Sequence, residues 1–291
     1  MKPTDDTNRP LLNISGLRVS LGGRSILNGI DLNVARGEFV GLIGSNGAGK
    51  TTLLKTILGD ITPLEGSVDV LGHKGTRTGE IGYVPQKIAL DPDLPLLAKD
   101  FVALGLDGHR LGVSLRGRHF WERVEHALEG VGALEYADRP VGRLSGGQQQ
   151  RIMIAAAIVA DPALLLLDEP LANLDPANSA DIVVLLDHIR NANGIGIILS
   201  AHDINPLLGV LDRVVYLAQG RSAFGRTDEV IRTDALSDLY QHPITVLRTQ
   251  GRIVVLADEG GEPGHHAAEY SGAENSESAE TQEGGSPDGR L

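Results

Sequence analysis

The chain has 291 residues, room for one large α/β domain or two small ones, and 41% of them are hydrophobic, ordinary for a packed core. Aromatic residues make up only 3%, so aliphatic side chains must build that core, and the lack of cysteine excludes disulfides, thiolate metal sites and cysteine nucleophiles. The formal net charge of −12 is unevenly spread: from Asp258 onward nine acidic residues face Arg290 alone, which leaves the preceding body near −4, without the basic footprint of a nucleic-acid binder.

The start, MKPTDDTNRP, is polar and lacks the apolar stretch of a signal peptide. No run approaches the roughly 18 apolar residues needed to span a bilayer, so any membrane role is expected to come through a partner. Residues 11–34 alternate as strand material and break at Gly22 and Gly23. Residues 38–43 (EFVGLI) are a short apolar run leading into a glycine-rich loop, and a helix is expected over 50–58. A strand follows at 67–71, punctuated by Gly66 and Gly72. Residues from about 95 to 134 carry helical spacing and read as a helical insert. Residues 163–167 are a continuous aliphatic run, as in a strand buried on both faces. Asp175 followed by Pro176 marks a helix start, a cap and then proline in the first turn, and that helix should reach about residue 193. Strands are expected at 195–200 and 213–218, and a terminal hairpin over 243–256 turns near Gln250 and Gly251.

This alternation predicts an α/β fold, a mostly parallel sheet covered by helices, with no internal repeat. The folded domain is expected over 1–257. Residues 258–291, rich in Gly, Ser and Glu, cannot bury enough surface to offset their ordering entropy and read as a disordered acidic tail.

Gly44, Ser45, Asn46, Gly47, Ala48, Gly49, Lys50 and Thr51 match G-x-x-x-x-G-K-[ST] in full, between a strand and a helix, as that motif requires. Glycines let the backbone wrap closely round phosphate, and the inward N–H groups and helix N-terminus supply partial positive charge. Lys50 supplies a full charge to the β- and γ-phosphates, the Thr51 hydroxyl can ligate Mg²⁺, and Thr52 is expected to bind nucleotide with the loop. Farther on, the aliphatic strand ends in Asp168 and Glu169. Asp168 is placed to hold Mg²⁺, directly or through water, and Glu169 to take a proton from, or orient, the attacking water. A solvent-facing acidic pair is the bland alternative.

Leu144, Ser145, Gly146, Gly147 and Gln148 narrow the class. With the phosphate loop before it and LLLLDEP after it, this segment resembles the nucleotide-binding subunits of ABC transporters over roughly residues 11–250. The resemblance implies a phosphate-loop NTPase core with an antiparallel β subdomain and a helical subdomain at about 90–140. It implies ATP and Mg²⁺ as cofactors and ATP hydrolysis as the activity. Gln86, in Tyr83-Val84-Pro85-Gln86, matches the glutamine that touches Mg²⁺ or the reactive water; the alternative is a surface-turn glutamine. Residues 144–148 match the signature that reaches the ATP bound to a second copy of the chain. Asp175, in Ala172-Asn173-Leu174-Asp175, matches an interface residue, and a purely structural helix cap competes with that role. His202 matches the switch histidine at the γ-phosphate.

One phosphate loop and one signature per chain imply that two copies sandwich two ATP molecules. The resemblance further implies an integral-membrane permease, an extracellular or periplasmic metal-binding protein and a place on the cytoplasmic face of the membrane. It departs at Leu21, where the family carries an adenine-stacking aromatic, so weaker affinity or looser base selectivity is expected. The segments 202–208 and 212–221 and the stretch 236–247, ending Tyr240-Gln241-His242-Pro243-Ile244-Thr245-Val246, resemble importers of zinc or manganese, with iron chelates, other importer cargo or export as alternatives. His265 and His266 could bind zinc weakly, but two neighbouring histidines on a tail do not make a four-ligand site. A soluble ABC ATPase acting on ribosomes or DNA is the competing function; the body's lack of basic excess argues against it.

Overall fold

The computed structural model describes residues 9–75, 79–86, 91, 93–108 and 116–257. The expected tail 258–291, with His265 and His266, lies outside the described residues, as does 109–115 within the expected helical insert.

The first alternating stretch forms β1 (Leu12–Leu21) and β2 (Arg24–Val34), an antiparallel pair in which Leu21 faces Arg24. Gly22 and Gly23 between them both have positive φ, the geometry of a two-residue hairpin turn that matches strand twist. β3 (Phe39–Ile43) is buried throughout and leads to α1 (Lys50–Leu58). β4 (Glu65–Val70) starts two residues before the expected strand, and Leu71 leaves it with φ 51. With β5 (His73–Lys74) these strands make a four-stranded sheet in the order β2-β1-β4-β5.

The rest of the chain supplies β6 (Ile81–Val84), α2 (Ala98–Asp107), α3 (Arg118–Gly130), α4 (Gly146–Ile158), β7 (Leu164–Leu167), α5 (Pro176–Asn193), β8 (Gly196–Ala201), β9 (Arg213–Ala218) and β10 (Arg221–Gly225). It continues through α6 (Thr227–Val230) and α7 (Thr233–Tyr240) to β11 (Ile244–Thr249) and β12 (Arg252–Ala257). The main sheet runs β10-β9-β3-β8-β7-β6; all its pairings are parallel except that of the edge strand β10. Alternate residues of β7 divide two cores. Leu164 and Leu166 join α1 and the small sheet, while Leu165 and Leu167 join the helical side. Burial on both faces is why the strand reads as an unbroken aliphatic run.

Helices α2 and α3 form where helical spacing was expected, and both pack against α4. The approach is close: a Cβ on Gly105 of α2 would stand 2.1 Å from the Ala156 carbonyl, and one on Gly82 of β6 would stand 2.3 Å from that of Ala157. Among the described residues, no helix is long and apolar enough to cross a membrane.

The terminal hairpin turns at Gln250 and Gly251, again both at positive φ. Ser237 Oγ of α7 accepts from the hairpin's Ile244 N–H at 2.9 Å, and the Asn205 side chain accepts from the Ile253 N–H at 2.8 Å and donates to the Ile253 carbonyl at 2.9 Å, mimicking a strand neighbour. β3, β7 and β8 lie side by side and parallel, so the segments that follow them emerge together at their carboxyl ends, where open parallel sheets place ligands.

Candidate active site

Three strand ends meet there. After β3 the loop from Gly44 turns through Ser45, whose carbonyl accepts from the Ala48 N–H at 3.1 Å; Ser45, Asn46 and Gly47 are exposed at its tip. Gly49 takes the N-cap position of α1 at φ 104, a conformation that side chains resist. It offers no side-chain cap, and the first turn holds no acidic residue. The helix therefore presents its free N–H groups and positive dipole end to an anion.

Lys50, 5% exposed, donates to the carbonyls of Gly44 at 2.8 Å and Ser45 at 3.3 Å, and its Nζ lies 3.1 Å from Glu169 Oε1. Thr51 Oγ1 donates to Asp168 Oδ2 at 2.8 Å. Thr52, the next helical residue, is half-buried. Asp168 is buried; its N–H donates to the Val84 carbonyl at 2.9 Å, which ties the end of β7 to the end of β6. Its charge also reaches the Tyr83 hydroxyl, whose pKa is raised first by burial and then by Asp168. Glu169 sits at φ 47, and its Oε2 accepts from Gln86 Nε2 at 2.8 Å. His202, just beyond β8, is exposed and shares the wall of a cavity of about 480 Å³ with Gly44 and Ser45. The fold thus brings Gln86, Lys50, Thr51, Asp168 and Glu169 together as two bonded groups, Thr51 with Asp168 and both Lys50 and Gln86 with Glu169.

Ser145 and Gln148 are organised differently. Ser145 caps α4: its Oγ accepts from the Gln148 N–H at 3.3 Å, and its own N–H donates to Gln148 Oε1 at 3.1 Å, a complete capping box. Leu144 is buried behind it, while Ser145 and Gly146 are exposed. A Cβ on Gly147 would lie 2.9 Å from Asn178 Oδ1. Asn178 in turn donates its N–H to Asp175 Oδ1 at 2.9 Å and its side-chain amide to Asp175 Oδ2. Asp175 is therefore the cap of α5, and the hydrogen bonds from Asn178 hold its carboxyl below the usual carboxylate range.

Two residues here were not among the expected site residues. Asn178 lies between the α4 N-terminus and Asp175. Ser200 of β8 donates to Asp168 Oδ1 and accepts from the Glu169 N–H, each at 2.8 Å. A hydroxyl in an otherwise aliphatic, fully buried strand was the signal available for Ser200.

Thr51 and Asp168 offer an oxygen-only set of two ligands, which suits Mg²⁺ held jointly with substrate phosphates. No group of three or more His, Asp or Glu side chains fit to hold a cation by themselves occurs among the described residues. That includes the cavity of about 540 Å³ between α3 and α5, where His119, His126 and His188 are found.

The profile of the ABC transporter family matches residues 27–172. The chain is 34% identical over 232 residues to the zinc import ATP-binding protein ZnuC of Pseudomonas fluorescens, covering 79% of this chain and 82% of that one. It is 33% identical over 248 residues to the manganese transport system ATP-binding protein MntB of Halalkalibacterium halodurans, covering 85% and 98%. Among solved structures, cbiO1 of Clostridium perfringens, part of the ABC transporter complex cbiONQ, superposes with a TM-score of 0.67 at 30% identity, over 79% of this chain and 93% of that one.

Proposed function

This chain belongs to the ABC transporter family, whose ATP-binding proteins hydrolyse ATP to drive transport, and on that premise we propose that it powers import of zinc or manganese through a partner permease. The observation that carries the chemistry is the cluster at the strand ends, where Thr51 meets Asp168 at 2.8 Å and Lys50 meets Glu169 at 3.1 Å. The cargo rests on the relatives named for zinc import and manganese transport. The same relatives disfavour a ribosome- or DNA-directed ATPase.

In this reading the free N–H groups of the loop and helix start, 44–52, receive the phosphates of ATP, with Ser45, Asn46 and Gly47 forming the exposed rim and Ala48 buried beneath it. Lys50 exchanges Glu169 for the β- and γ-phosphates. Thr51 and Asp168, with Gln86, hold Mg²⁺, which when bound neutralises phosphate charge. Glu169, turned toward the loop and oriented by Gln86, accepts a proton from water as the water oxygen bonds to the γ-phosphorus. The bond from that phosphorus to the β–γ bridging oxygen breaks, and ADP and phosphate leave. His202 contacts the γ-phosphate from the end of β8.

A second copy of the chain completes the site. Ser145 caps its α4, which opens with Gly146, Gly147 and Gln148, and that N-terminus faces the γ-phosphate of the first copy's ATP. Asp175 lies at that interface while capping α5, so its two roles are compatible. Closure on ATP and reopening after hydrolysis form a ligand-driven population shift that the permease reads. The chain works at the cytoplasmic face of the membrane, with an extracellular or periplasmic metal-binding protein delivering cargo.

The test is growth of a strain lacking this gene in metal-chelated medium, with zinc, manganese or iron restored singly. Rescue by zinc or manganese alone is expected. In a strain without a redundant importer, growth indifferent to all three metals would remove the cargo assignment and leave the ATPase standing.

A further inference from the structure

Ser200 is the fifth residue of β8, whose other members are Gly196, Ile197, Ile198, Leu199 and Ala201. Its exposure is 0%. A hydroxyl is costly in such a place unless both its donor and its acceptor capacity are used. Here both go to consecutive residues of one neighbouring segment. The Oγ–H donates to Asp168 Oδ1, and the Oγ accepts the Glu169 N–H, each at 2.8 Å. The register explains the meeting: β7 and β8 are parallel with Leu167 beside Leu199, so Ser200 comes level with the first residues past the end of β7.

The two carboxylates meet adjacent residues at the start of α1. With Oδ1 held by Ser200, Asp168 turns Oδ2 to Thr51. Glu169 is at φ 47, a region that non-glycine residues occupy only where surrounding contacts over-determine them. Its backbone N–H is held by Ser200, and its carboxylate spans Lys50 and Gln86. One buried hydroxyl thus sets the side chain of the first acid and the backbone of the second.

We propose that Ser200 is a positioning residue for ATP hydrolysis, aiming Asp168 at Thr51 and holding the strained Glu169 backbone so that its carboxylate reaches the phosphate loop. This rests on the roles proposed above for Asp168 and Glu169. Ser200 touches neither substrate nor cofactor and acts only through these two acids.

The experiment compares full-length wild type, Ser200→Ala, Ser200→Cys and Glu169→Gln. It reads kcat and KM for ATP hydrolysis, Mn²⁺ affinity by electron paramagnetic resonance with a non-hydrolysable ATP analogue, and the thermal midpoint. Ser200→Cys fills nearly the same space with a weak donor and carries the test if Ser200→Ala does not fold. The expected result is a kcat lowered about tenfold or more with KM within about threefold, and Mn²⁺ affinity reduced several-fold. A hydroxyl that only satisfies the core would lower the thermal midpoint and leave kcat and Mn²⁺ affinity in place. Folded Ser200 variants with wild-type kcat and Mn²⁺ affinity, beside an inactive Glu169→Gln, would overturn the proposal alone. An active Glu169→Gln would overturn the site assignment beneath it.

Discussion

Glu169 Oε1 lies 3.1 Å from Lys50 Nζ, so the proposed base and the proposed phosphate ligand are partners of each other. Glu169 and the phosphates of ATP compete for the same buried cation. Glu169→Gln removes the competing charge and the proton acceptor together. ATP binding should tighten several-fold, while hydrolysis falls about 10²–10⁴-fold, the usual worth of a general base. Nucleotide titration and phosphate release measure the two effects, and wild-type turnover in the variant would remove Glu169 as the base.

Gly147 abuts Asn178, with 2.9 Å left between a would-be Cβ and Asn178 Oδ1. Gly147→Ala should push the Asn178 side chain off Asp175 and disturb the surface offered to a second copy. Because the obstruction is the tip of a side chain, the loss of stability should stay near ~1 kcal/mol. Turnover and ATP-dependent dimer formation should fall, and adding Asn178→Ala should restore part of both. Chromatographic dimer assays with the single and double variants decide the point.

Asp175 gives a pH signature. Its folded-state pKa is lowered by the hydrogen bonds from Asn178, so its cap stabilises α5 fully above the unfolded-state value of about 4. The contribution fades as pH falls through the lower folded-state value. Urea unfolding of wild type and Asp175→Ala should differ from neutral pH down to about pH 5 and converge in stronger acid. A difference that grew on acidification would contradict the assignment.

Asn205 ties β12 of the terminal hairpin down by two hydrogen bonds to Ile253. Asn205→Ala leaves both backbone groups without that partner, at about 1–3 kcal/mol. The loss should be local: amide exchange in Arg252–Ala257 should accelerate, while β3 and β7 remain protected. Equal acceleration throughout the main sheet would mean that the hairpin unfolds only with the whole domain.

Leu21 ends β1 and is 42% exposed. If adenine rests there, Leu21→Tyr should gain part of the about 1–3 kcal/mol of base–aromatic stacking and sharpen the preference for ATP over other nucleotides. Competition binding with ATP and GTP reads this directly, and an unchanged affinity for both would place the base elsewhere.

Much of this protein was legible in residue order because its strongest signals are local. Gly22 and Gly23 require a turn, an unbroken LLLL run requires a strand buried on both faces, and Asp175 followed by Pro176 requires a helix start; β1, β2, β7 and α5 formed accordingly. The phosphate loop is equally local, since its glycines, Lys50 and Thr51 act within one turn between β3 and α1. Short elements without a periodic pattern, such as β10 and α6, carried no comparable signal. What only the tertiary structure decided are the contacts between distant segments: Thr51 with Asp168, Ser200 with both acids, Gly147 with Asn178 and Asn205 with Ile253. These depend on strand order and register, where a slip of one residue would turn Ser200 to the opposite face of the sheet. Side-chain identity states what a residue is able to bond, whereas the packing of parallel strands settles which partner it meets.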